Sequence, residues 1–201
     1  MDSLTQIVLG AAVAEVTLGK KIGNKAMLWG AVAGTIPDLD VLAKQFTDIV
    51  TANEMHRGFS HSILFSVVAA PIFGWLVSKI YRKSKEATWK QWSWLFFWSL
   101  ITHPLLDAHT TWGTQLFWPL DLKVSYQNIF VADPLYTLPF LVCTAAAMFY
   151  HRTNSRRSSI NRLGIILSTS YMALTLGLKG YAYFKFENSL KAQDIEYNEI
   201  S

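Results

Sequence analysis

Three stretches of the 201-residue chain gather side chains able to bind a metal or move a proton: Pro37-Asp38-Leu39-Asp40, His56-Arg57-Gly58-Phe59-Ser60-His61-Ser62 and His103-Pro104-Leu105-Leu106-Asp107-Ala108-His109. In the first, Pro37 fixes a turn, and the carboxylates of Asp38 and Asp40 suit a divalent cation or general acid–base work. An aspartate capping the next helix accounts for the same pair equally well. In the second, Gly58 allows a sharp turn and Ser60 is the expected N-cap of a following helix. His56 and His61 can then converge from a loop and a helix start, and Arg57 can meet a phosphate or carboxylate through two parallel bonds. In the third, His103 and Asp107 are four residues apart and share one face of a helix. That spacing suits two ligands of one metal, or one ligand and a carboxylate that orients it through the other ring nitrogen. A structural His–Asp pair is the competing reading. Pro104 fits a helix start or a kink.

The elements that must hold these groups are apolar. Apolar residues make up 51% of the chain and charged ones only 16%, where soluble domains carry about a quarter. The mean hydropathy is positive at +0.22, and eight Trp suit the boundary between water and lipid. Spanning a bilayer takes roughly 20 apolar residues. Ser60 to Ile80, Trp92 to Thr102, Pro134 to Tyr150 and Leu163 to Leu178 approach or reach that length, the second only if it begins before Trp92 or runs past Pro104. Leu4 to Leu18, interrupted by Glu15, and Ala26 to Ile36 are shorter, and form either tilted spans or a re-entrant pair. The expected architecture is an all-α integral membrane bundle with four to six spans. It occupies residues 1–186, and a polar, poorly ordered tail follows over 187–201. Met1-Asp2-Ser3 lacks the positive start of a signal peptide, so the first segment is expected to be retained.

Basic residues orient such a bundle. Lys20, Lys21, Lys25, Lys79, Arg82, Lys83, Lys85, Lys90, Arg152, Arg156, Arg157 and Arg162 fall in loops on one side, twelve of the eighteen in the chain. That side is expected to be cytoplasmic. The alternation leaves Asp38, Asp40, His56, His61, His103, Asp107, His109, Asp121 and Asp133 together on the other face. Charged groups in membrane segments are costly and are usually functional or paired. Other chemistries lack their signatures: there is no P-loop, no Gly-x-Ser-x-Gly elbow, no CxxC and no HExxH. The single Cys143 reads as apolar filler. The net charge of +4 forms no basic stripe, so no nucleic-acid partner is expected.

At these motifs the chain resembles the YdjM-like family of inner-membrane proteins. The resemblance rests on Met1-Asp2-Ser3-Leu4-Thr5, Pro37-Asp38-Leu39-Asp40, His56 to Ser62, His103 to Asp107 and Thr110-Thr111-Trp112-Gly113, over about the first two thirds of the chain. Gln6 stands where many members of that family carry a histidine. The resemblance implies a metal-dependent hydrolase, distantly related to zinc-dependent phospholipase C and nuclease enzymes. Combined with the clusters, it predicts hydrolysis of a phosphoester in a lipid or envelope-associated substrate, with membrane lipids as surroundings. The expected metal ligands are Asp38, His56, His61, His103, Asp107 and His109, with Arg57 and Asp40 as catalytic residues. Zinc suits the imidazoles, and manganese a carboxylate-rich set. A metal- or proton-coupled transporter is the alternative, for which Glu15 is the one good in-span candidate; a structural membrane protein is another.

Overall fold

Each apolar segment forms a helix in the computed structural model of the chain, which describes residues 1–40, 58–84 and 86–193. Helix α1 (Ser3–Ala14) starts at Asp2, whose carboxylate accepts from the Thr5 amide at 3.0 Å. Its backbone continues through a π-helical turn (Glu15–Gly19) to Ile22. Gly23, at φ +62°, makes a reversal that L side chains resist. Helix α2 (Asn24–Thr35) runs back along α1. There follow α3 (Ile63–Ile80), α4 (Trp89–Asp107), α5 (Pro134–Met148) and α6 (Ser155–Ala192). No strand forms among the described residues; Thr114 and Val124 make one isolated bridge in the loop between α4 and α5.

Local chemistry sets the boundaries. The cap of α3 is Ser62, which accepts from the Phe65 amide at 3.0 Å, and not the expected Ser60. A single 3-10 turn, Phe59–His61, precedes the helix and shifts its start by two residues. Thr88 and Gln91 cap α4 reciprocally, so that helix begins before Trp92. It also continues past Pro104 to Asp107, so the proline lies inside the helix. Helix α6 runs through Ala192, into the segment expected to be a tail, where Glu187 and Lys191 pair one turn apart at 2.6 Å.

Two helices, α3 and α6, are long and apolar enough to cross a bilayer, and α5 is apolar but shorter. The expected count of four to six is therefore not reached on length and composition. Helix α4 has the length but carries Lys90, Gln91, His103 and Asp107, and α1 and α2 are short as regular α-helices. The outer surface is nonetheless apolar: Val68, Trp75, Val142, Leu163, Ile166 and Leu174 are all exposed.

Helices α1 and α2 approach closely through small residues. A Cβ on Gly10 would collide with the Gly30 carbonyl, and one on Gly34 with the carbonyl of Gln6. Gly30→Val is therefore expected to cost at least about 1–3 kcal/mol by overpacking. Gly177, with nothing within 4 Å, is the contrast: Gly177→Ala should be neutral or stabilising by about 0.4–1 kcal/mol. Thermal unfolding of the two variants in detergent should move in opposite directions.

The helix directions sort the chain's chemistry. The start of α1, the end of α2, the start of α3 and the end of α4 meet at one pole, where Gln6 reaches Asp107 and Gly34 reaches His103. The opposite pole collects the basic residues: Lys21 bonds Gln91, Lys25 pairs with Glu86, and Arg152 bonds the Lys21 carbonyl.

Candidate metal centre

Four side chains from four segments converge at the first pole. Asp38 comes from the 3-10 turn over residues 37–40, His61 from the turn before α3, and His103 and Asp107 from the last turns of α4. Together they form a cluster able to hold a metal ion, with one ligand atom from each within 4.8 Å of every other. The two Nε2 atoms of His61 and His103 are 3.2 Å apart. Asp38 Oδ1 lies 3.5 Å from His61 Nε2 and 3.4 Å from His103 Nε2. Asp107 Oδ2 lies 3.5 Å and 3.7 Å from the same two nitrogens. These five separations, from 3.2 to 3.7 Å, are short enough for one ion to touch all four groups.

The surrounding bonds point both imidazoles inward. His103 Nδ1 donates to the Gly34 carbonyl at 2.6 Å, which leaves the Nε2 lone pair facing the cluster. This bond depends on the close packing of α1 and α2, which fixes where Gly34 sits. His61 Nδ1 faces Ser60 Oγ at 3.0 Å and Asp40 Oδ2 at 3.4 Å, while Ser60 Oγ donates to Asp40 at 2.7 Å. That relay fixes the tautomer of His61 and turns its Nε2 toward His103. Burial is nearly complete: His61, His103 and Asp107 are at most 1% exposed, and only the Asp38 side chain, at 27%, opens outward. Burial alone disfavours charge on His61, but hydrogen bonds to Asp107, Asp38 and Asp40 outweigh it and push the imidazole up. Burial likewise opposes ionisation of Asp38, yet His103 and His61 hold its carboxyl well below the usual range. The Asp38 carboxylate thus favours positive charge beside it.

The other expected site residues fall into three groups. His56 and Arg57 lie outside the described residues. Asp40 is at the rear of His61, bonded to Ser60 and facing Nδ1. His109 is not brought to the cluster: α4 ends at Asp107, and His109, two residues on, bonds Asn128 Oδ1 at 2.8 Å and packs against Tyr126. Asp121 accepts from Gln115, and Asp133 caps α5 and accepts from Tyr171.

Two groups outside the expected ligand set meet Asp107, one of them Gln6, which the sequence singles out only as standing in place of a family histidine. Gln6 is buried and donates from Nε2 to Asp107 Oδ1 at 3.0 Å and to the His103 carbonyl at 3.3 Å. The Met1 amine also contacts Asp107 Oδ1. Gln6 Oε1 is buried and has no hydrogen-bond partner among the described residues, an oxygen beside the cluster that fits a polar or metallic occupant. A glutamine in an apolar segment, at the pole shared with His103, was the available signal.

Glu15 has found a partner at the opposite pole. Arg157 grips it with two bonds, Nε to Oε1 at 2.7 Å and Nη2 to Oε2 at 2.6 Å, both side chains being buried. The in-span carboxylate that a coupled transporter would need is thereby engaged.

Comparison with known proteins bears on the whole chain. The family described as YdjM inner membrane protein matches residues 1–186. Inner membrane protein YbcI of Escherichia coli (strain K12) is 33% identical over 104 residues, which cover 50% of this chain and 57% of YbcI. The chain thus matches little more than half the length of that relative. No solved structure matches.

Proposed function

Because the chain belongs to the YdjM inner membrane protein family, we propose that it is a multi-pass inner-membrane hydrolase that uses a divalent metal to cleave a phosphoester in a lipid or envelope-associated substrate. The observation that carries this reading is the convergence of one ligand atom each from Asp38, His61, His103 and Asp107. Zinc is the favoured ion. Two imidazole ligands favour it over magnesium or calcium, which take oxygen ligands.

A divalent metal held there supplies Lewis acidity that activates water and polarises a phosphoryl oxygen. The chain's own residues do the rest. Gly34 and the Ser60–Asp40 relay fix the imidazole tautomers. Gln6 holds Asp107 in place. Asp38, the most exposed member, is the side of the cluster open to an incoming substrate. Arg57 is assigned to the developing negative charge on sequence grounds. For topology we propose four to six spans. Helical backbone from Ser3 to Ile22 extends about 30 Å, and the positive-inside asymmetry sets the metal pole on the non-cytoplasmic face.

The test is a panel of phospholipids and soluble phosphodiesters presented to the purified protein with metal, and again after chelation. Cleavage should require metal, and Asp38→Ala should lower turnover by about a hundredfold or more at unchanged helicity. If a metal-loaded, folded protein cleaves no member of the panel, the phosphoester assignment falls.

A further inference from the structure

The basic pole contains a cavity of about 420 Å³ on the flank of α1 and the start of α6. Lys20, Arg152 and Arg162 line it, with the hydroxyls of Ser155, Ser158 and Ser159 between them. No acidic partner meets Lys20 or Arg162 among the described residues. Arg152 spends one nitrogen on the Lys21 carbonyl and stands 3.9 Å from Glu86. The carboxylate lining the cavity, Glu15, is neutralised by the buried Arg157. The cavity therefore presents uncompensated positive charge, guanidinium forks and hydroxyl donors, the set that recognises a phosphate group.

The surroundings identify where that phosphate comes from. Val16 lies one helical turn from Lys20, and Ile166 one turn from Arg162; both are more than half exposed. An apolar surface thus begins where the cationic cavity ends. A free anion has no use for such an edge, whereas a phospholipid lays its acyl chains along it. We infer that this cavity binds the phosphate of an anionic phospholipid headgroup, at the pole opposite the metal centre. The inference is independent of the hydrolase reading, because none of its residues belongs to the metal cluster.

The test uses the full-length protein in mild detergent, supplied with mixed micelles of phosphatidylcholine and phosphatidylglycerol, then washed and analysed for retained lipid. Wild type should retain phosphatidylglycerol in preference to phosphatidylcholine. The double variant K20A/R162A should lose this retention by roughly thirtyfold, the product of two cationic contacts at a membrane surface. R82A/K83A removes the same charge outside the cavity and should retain lipid as wild type does. Ser159→Asp, which adds a negative charge without deleting a side chain, should reproduce the loss and guards against misfolding of the double variant. Equal loss in R82A/K83A would show only diffuse surface attraction and would overturn the site. Binding of inorganic phosphate to lipid-free protein, abolished by K20A/R162A while phosphatidylglycerol retention persists, would overturn the lipid as its source.

Discussion

Purified from membranes, the protein is expected to carry about one divalent transition-metal ion per chain, and His103→Ala is expected to reduce that content to the background of a metal-free control. The size of the effect follows from the geometry. His103 contributes one of four ligand groups, and without it one imidazole remains beside the carboxylates of Asp38 and Asp107. His61→Ala should behave alike, since its Nε2 lies beside the other three members. Gln6→Ala is a milder case. It touches Asp107 from outside, so a drop of about 10- to 100-fold in affinity is expected, as for other groups that orient ligands. His109→Ala and His151→Ala are the controls: one is bonded to Asn128, the other to Thr153 at the basic pole. Elemental analysis of the five proteins checks the series. Equal loss in His151→Ala would mean that the metal is adventitious.

What the sequence made legible, and what it did not, divides along physical lines. The His103–Asp107 pairing could be read because helical periodicity converts a spacing of four into a shared face. The grouping of His61 and Asp38 with them followed only at the level of a common pole, through alternation of apolar segments. His109 shows where that reasoning stops. It lies within the same motif, but α4 ends at Asp107, and beyond a helix end spacing no longer predicts direction. Gly34 was invisible for a different reason: it acts through its carbonyl, and a backbone acceptor leaves no mark on residue type. Ser60 was misplaced as a cap because Ser62 offers the same hydroxyl two residues later, and the intervening 3-10 turn decides between them. For α4 the Trp-rich middle hides polar residues at both ends, so length and composition alone do not mark it as a span.

Breaking the buried pair at the basic pole should destabilise the protein more than any other single change outside the metal centre. Glu15→Leu leaves Arg157, 2% exposed, with no carboxylate for its Nε and Nη2 donors. Removing one partner of a buried pair costs about 3–5 kcal/mol, since the survivor keeps an uncompensated charge out of water. Arg157→Met should cost as much or more, because Arg157 also donates to Asn24 Oδ1 at 2.6 Å and to the Tyr150 carbonyl at 3.0 Å, tying α2 and the α5–α6 turn to α1. Replacing both residues removes the stranded charge, so Glu15→Leu/Arg157→Met should recover much of the loss while still lacking the Asn24 and Tyr150 bonds. Gly19 supplies an independent probe. A Cβ there would collide with the Glu15 carboxylate, so Gly19→Ala should push Glu15 off Arg157 and lower stability despite alanine's better helix propensity. Thermal unfolding in detergent of the four variants checks this, read as a double-mutant cycle with Gly19→Ala beside it. Near-additive losses in the double variant would show that the two residues do not act as a pair. A Glu15→Leu protein as stable as wild type would remove the structural role and return this carboxylate to the transport reading.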